Sequence, residues 1–169
     1  MSLQPEIEGQ TVRLRPLLAS DRSAFVKAGS DPDIWAQHPA TDRHEPDKIA
    51  AFFEEALASG GAVIIEEKSS GRVIGSSRYH DLDGAKGRVE IGWTFLTRDH
   101  WGGATNREVK TLMLQHAFTH VPVVRFTIGS QNMRSRRAIE KIGGRLLAEG
   151  TDVASAKVIY EIDKASFRA

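Results

Sequence analysis

One stretch does most to limit the folds open to this chain: residues 89–128 read as strand, glycine turn, amphipathic helix, strand. The run VEIGWTF at 89–95 is rich in β-branched and aromatic residues. It leads into Trp101, Gly102, Gly103 and Ala104. A helical pattern over 104–120 follows at once, with Val109, Leu112, Met113 and Ala117 at the spacing of a buried stripe. The largely apolar VVRFTI at 123–128 suits a strand inside a sheet, and Pro122 is tolerated at its start. A second helix from Ser135 to Ile142 ends at Gly143 and Gly144, and strands at about 145–149 and 156–162 close the chain. Two helix-containing crossovers flanking one strand call for a mixed sheet with helices on both faces.

The N-terminal half supplies the rest of that sheet. TVRLR at 11–15 alternates apolar and polar and stops at Pro16. Ser20 and Asp21 open a helix containing Phe25 and Val26, broken by Asp31 and Pro32. Pro46 fits the first turn of another helix, whose apolar face is Ile49, Phe52, Phe53, Ala56 and Leu57. A meander follows: a strand at 62–65, one from Val73 to about Tyr79, a loop at 81–84, then the strand at 89–95. No repeat or low-complexity linker interrupts the pattern, so residues 1–169 are expected to form one domain.

Lys and Arg number 23 against 22 Asp and Glu, a formal charge of +1, which gives bulk electrostatics no pull toward DNA or an anionic membrane. With no cysteine, disulfides, thiolate metal sites and cysteine nucleophiles are excluded. The first residues lack a signal-peptide core, and no apolar run approaches the roughly 20 residues of a membrane span. A soluble cytoplasmic protein, monomer or homodimer, is the expectation.

Gly102 and Gly103 stand where a helix begins, so unshielded amides meet the positive end of its dipole. That is a cradle for an anion, phosphate above all. The same pair also suits a plain strand-to-helix turn.

At these residues the chain resembles the GNAT superfamily of acetyl-CoA-dependent N-acetyltransferases, and within it the branch of the ribosomal-protein N-terminal acetyltransferases. The resemblance runs from VRLRP at 12–16 to YEI at 160–162. Trp101, Gly102, Asn106 and Glu108 fall in register with the family's cofactor loop; Ala104 replaces its usual glycine, and Gly103 supplies one a residue early. Asn132 and Ser135 match the N-x-x-S that opens the helix beside the pantetheine arm, and Ile139 stands where many relatives carry a tyrosine general acid. The resemblance implies a three-layer α+β (mixed α/β) fold, with a mostly antiparallel central sheet of about seven strands. It also implies a slot between the strands at 89–96 and 123–128, and acetyl-CoA as cosubstrate without a metal. The acceptor would be a primary amine, on a protein N-terminus or a small molecule. The alternative is a catalytically impaired acyl-CoA-binding sensor or interaction module.

Acetyl transfer requires the thioester held beside the amine, a donor for the developing oxyanion, and a base for the ammonium proton. Cofactor contacts are expected from Phe95, Leu96, Trp101, Gly102, Gly103, Ala104, Thr105, Asn106, Asn132 and Arg136. Glu90 is the favoured base, with an ordinary solvated strand glutamate as the bland alternative; His80 is next. Ser135 is a proton donor to the thiolate, a contact to the cofactor, or the N-cap of its helix. Trp35, Tyr79 and His80 are expected to shape the amine pocket. Arg134, Arg136 and Arg137 at a helix start oppose its dipole unless an anion compensates.

Overall fold

The computed structural model describes residues 1–147 and 156–169. Its strands are β1 (Ile7–Glu8), β2 (Val12–Pro16), β3 (Ala62–Glu67), β4 (Val73–Asp83), β5 (Arg88–Leu96), β6 (Val123–Gly129), β7 (Arg145–Leu146) and β8 (Lys157–Asp163). The α-helices are α1 (Arg22–Gly29), α2 (Pro32–Trp35), α3 (Pro46–Ala58), α4 (Thr105–Phe118) and α5 (Met133–Lys141). Among the described residues, all eight strands form one sheet in the order β1-β2-β3-β4-β5-β6-β8-β7. Neighbours pair antiparallel except β5 and β6, which are parallel because α4 carries the chain back between them. The mixed, mostly antiparallel sheet is as expected. The eighth strand is β1, two residues too short to leave a periodic signal. Of the strand expected over 145–149, residues 148 and 149 lie outside the described residues.

Each face of the sheet carries its own core. On one, Val109, Met113, Leu114 and Ala117 of α4 and Ile139 of α5 pack on Leu14, Val89, Ile91, Leu96 and Phe126. On the other, Phe25, Trp35, Ile49, Phe52 and Phe53 pack on Ala62, Ile64 and Phe95. The positions of Ile91, Phe95 and Leu96 reveal a break in strand alternation. With Val89 and Ile91 facing α4, a period of two would send Phe95 the same way. Phe95 instead faces α1–α3, and Leu96 faces α4.

The cause is a bulge. Ser76 pairs with Phe95 and Arg78 with Gly92, so β5 spends one residue more than β4 between the two pairs. Trp93 absorbs the extra residue with φ +50°, left-handed backbone that a large side chain rarely adopts. Such strain persists where the surroundings demand it, often at functional sites.

Candidate active site

The bulge bends β5 at the point where its partner is lost. β5 and β6 pair only through Arg88↔Val123, Val89↔Val124 and Glu90↔Arg125. β6 runs on, paired with β8 as far as Gly129↔Lys157, while β5 leaves it. The gap between them opens a cleft of about 670 Å³. Residues 91–96 form one wall and residues 126–129 the other, with Asn106 and Lys110 of α4 and Ser135 and Ile139 of α5 completing it.

At one end of this cleft lies the glycine turn. Trp101 is pinned by its indole N–H, which donates to the Leu96 carbonyl at 3.0 Å, and by its amide, which donates to the Arg98 carbonyl at 3.0 Å. Gly102 reverses the chain at φ +71°, a conformation glycine adopts without penalty. α4 then starts with Ala104 as N-cap and, among the described residues, no side chain capping it. Helix starts usually recruit Ser, Thr, Asp or Asn to satisfy their free amides; here those donors are left for another acceptor. A methyl group placed on Gly102 or Gly103 would meet none of the described residues within 4 Å, so the turn has room for an anion. Glu108 does not enter this space: it accepts from the Thr11 amide at 2.9 Å and hydroxyl at 2.5 Å, tying α4 to β2.

A buried cation lies deeper in the cleft. Lys110 is 7% exposed, and its Nζ donates to Thr94 Oγ1 at 2.6 Å on the bulge. Thr94 Oγ1 is in turn 2.7 Å from Ser77 Oγ. Among the described residues no carboxylate pairs with Lys110, and burial pulls its pKa from 10.5 down to about 7. Lys110 escapes a sequence reading that assigns charged residues to the wet face of α4. One signal could have found it: Lys110, Met113, Leu114 and Ala117 stand at the 3, 4 and 7 spacing of a buried stripe.

A family model described as an acetyltransferase (GNAT) domain matches residues 11–145. The chain belongs to the GNAT acetyltransferase family. It is 26% identical over 117 residues to an uncharacterized N-acetyltransferase, p20, of Bacillus licheniformis, a match spanning 65% of this chain and 64% of that protein's length. A GCN5-related N-acetyltransferase from Brucella melitensis superposes with a TM-score of 0.83 at 21% identity, covering 96% of this chain and 80% of the other. RimJ of Mycobacterium smegmatis, solved with CoA-disulfide, superposes at 0.69 with 19% identity, over 91% of this chain and 82% of its own. At these identities the two structures establish a shared fold.

In this GNAT domain the expected cofactor residues Phe95, Leu96, Trp101, Gly102, Gly103, Asn106 and Asn132 come together on the cleft wall. Ala104 and Thr105 stand behind it as the cap and first residue of α4. Asn132 Oδ1 accepts from the Ser135 amide at 3.3 Å, so asparagine is the N-cap and α5 starts at Met133, two residues early. Ser135, relieved of capping, lines the cleft. Arg136 lies outside the cleft lining: its Nε donates to Tyr160 Oη at 3.0 Å and its Nη1 to the Ser130 carbonyl at 2.9 Å. Arg137 and Arg134 line the cleft instead, Arg134 stacked 3.6 Å over the Trp101 ring.

On the α1–α3 side Trp35 lines the cleft, its indole N–H donating to the Gly29 carbonyl at 2.8 Å. Tyr79 also lies outside the cleft lining. Its side chain faces α4, 1% exposed, with the hydroxyl donating to the Met113 carbonyl at 2.7 Å, and burial pushes its pKa up. His80, one residue on, emerges on the opposite face with its ring 4.4 Å from that of Trp93. Its Nε2 is 3.4 Å from Glu90 Oε1. Both sit beside the cleft, outside its wall. Burial pushes the Glu90 carboxyl up, but hydrogen bonds from His80 and Thr127 and the charge of Arg125 hold it below the usual carboxylate range. With Asp81 this pair offers three ligand atoms within 4.8 Å of one another, one fewer than a closed zinc site uses. His38, a further cleft residue, is kept neutral: burial, then the charges of Arg43, Lys157 and Arg134, pull its pKa down to about 4.

Proposed function

We propose that this chain is an N-acetyltransferase that moves an acetyl group from acetyl-CoA to a primary amine. One observation carries the reading: β5 and β6 part immediately beyond Glu90 and Arg125, and the resulting cleft meets an uncapped helix start. The turn suits a diphosphate, since among the described residues no side chain caps the helix start and the glycines leave the space clear. Backbone N–H groups from Gly102 to Asn106 would hold the diphosphate, with Arg137 as a cation beside it and Asn132 along the pantetheine arm. Acetyl-CoA supplies the activated acyl thioester.

The remaining chemistry belongs to this chain's side chains. The bulge turns β5 amides around Thr94 to Leu96 out of the ladder with β6, where one can stabilise a developing oxyanion. Glu90, ionised and oriented by His80, is the acceptor for the ammonium proton on the α1–α3 side. Lys110 holds a proton at Nζ on the α4 side, with Ser135 on the facing helix, where a departing thiolate needs one. This division gives proton removal and proton delivery separate faces of the sheet. Ile139 occupies the position of the usual tyrosine, and Lys110 compensates for it. The protein is expected to work in the cytoplasm, without a metal or DNA.

The test is thiol release from acetyl-CoA across an amine library, with coenzyme binding measured separately. Turnover with at least one amine, reduced in Glu90→Gln, supports the proposal. Tight coenzyme binding with no turnover on any amine would favour an acyl-CoA sensor instead.

A further inference from the structure

A pair of cations, Arg78 buried and Arg43 half-buried, stands behind the α1–α3 wall of the cleft, the side from which an acceptor would approach. Arg78 of β4 pairs with Ala62 and so faces α3. It is 6% exposed, and its guanidinium lies 4.3 Å from the Trp93 ring centroid and 5.8 Å from that of Phe52. Arg43, in the connection between α2 and α3, packs on the same Phe52 ring at 4.3 Å and on Trp35 at 5.3 Å. Trp93 and Trp35 both line the cleft, and Trp93 is 38% exposed on the strained bulge.

Stacking on aromatic rings satisfies the faces of a guanidinium and leaves its in-plane N–H donors unpaired. Here Nε and Nη2 of Arg78 and Nη1 of Arg43 are buried with no acceptor among the described residues. Neither arginine has a carboxylate within salt-bridge distance among those residues; Glu55 and Asp42 act on Arg43, and Glu55 on Arg78, only through longer-range attraction. Two neighbouring cations with orphaned donors are costly unless an anion joins them. A stacked guanidinium with a free edge is also the arrangement that grips a carboxylate or phosphate in two parallel hydrogen bonds.

We propose that Arg78 and Arg43 form an anion-binding subsite for the acceptor, so that the amine acetylated by this protein carries a carboxylate or a phosphate. The proposal rests on the acetyltransferase reading and names its substrate class.

The experiment compares matched acceptors in the thiol-release assay: glycine against glycinamide for the carboxylate, phosphoethanolamine against ethanolamine for the phosphate. The full chain is used, as wild type and as Arg78→Met, Arg78→Lys and Arg43→Met. The wild type should prefer one anionic member by about tenfold or more in kcat/KM, the scale of one or two charge-assisted hydrogen bonds. Arg78→Met should abolish that preference through KM while leaving the neutral partner within about twofold, and Arg78→Lys should restore only part of it. The favoured pair shows whether carboxylate or phosphate is the ligand. Equal use of charged and neutral partners in both pairs, or an unchanged preference in Arg78→Met, overturns the subsite. Calorimetric titration of the coenzyme-loaded protein with the same anions keeps the two readings apart. Arginine-dependent anion binding without turnover sinks the acetyltransferase assignment alone; turnover without anion preference sinks the subsite alone. Circular dichroism of each variant checks the fold, and if Arg78→Met does not fold, Arg43→Met and Arg78→Lys decide.

Discussion

Lys110→Met offers a test in which a gain in stability accompanies a loss of activity. A lysine whose pKa falls from 10.5 to about 7 on folding binds its proton less tightly in the native state than in the unfolded one. Below about pH 7 both states are protonated and the native state carries the full cost of the buried ammonium. At 1.36 kcal/mol per pKa unit, the drop from 10.5 to about 7 corresponds to roughly 5 kcal/mol. Between about 7 and 10.5 the unfolded chain holds the extra proton, so stability rises with pH; above 10.5 the penalty is gone. Methionine nearly matches lysine in volume and carries no charge. It removes this penalty and forfeits the hydrogen bond to Thr94, about 1 kcal/mol. The variant should therefore be about 3–4 kcal/mol more stable than wild type at pH 6, and equal or slightly less stable near pH 10.5. Urea unfolding followed by circular dichroism at both pH values measures the difference. Turnover should move the other way. Wild-type kcat should fall as pH rises through about 7 and Nζ loses its proton, whereas the variant should be slow and flat across that range. A variant no more stable at pH 6, or a stability difference independent of pH, refutes the reasoning about Lys110.

Three other substitutions probe separate parts of the site. Glu90→Gln keeps a hydrogen-bonding partner for His80 but cannot take a proton, so kcat should drop about 100-fold or more while coenzyme affinity is unchanged. Arg137→Glu should weaken binding of CoA by about tenfold yet leave a pantetheine fragment unaffected, and Arg136→Glu should instead lower the melting temperature through Tyr160. Tyr79→Phe should cost about 1–2 kcal/mol in urea unfolding, by stranding the Met113 carbonyl, with kcat preserved.

Much of this molecule is legible in its sequence because strand–helix–strand spacing and glycine turns are local signals. The crossover from β5 through α4 to β6, the two-faced packing of helices and the uncapped turn at Gly102 all follow from such patterns. The bulge at Trp93 does not, since one extra residue in a strand leaves no mark on composition yet reverses which face every later side chain meets. That reversal puts Phe95 on the α1–α3 side and Thr94 under Lys110. Tyr79 and His80 were separable only once the face of β4 was known, and aromatic content alone groups them. Buried cations are the hardest to anticipate. Lys110, Arg78 and Arg43 read as surface residues on chemical type, and only tertiary packing shows that aromatic rings and helices have removed the first two, and Nη1 of the third, from water.

The central claim is that the turn before α4 grips the diphosphate of a coenzyme. Gly103→Val tests it most directly, because Gly103 lies outside the left-handed region and a Cβ there touches none of the described residues. Calorimetric titration of wild type and variant with CoA should show affinity falling at least about 30-fold with the melting temperature unchanged, as the new side chain fills the space an anion needs. Equal affinity for CoA in the two proteins would contradict the account.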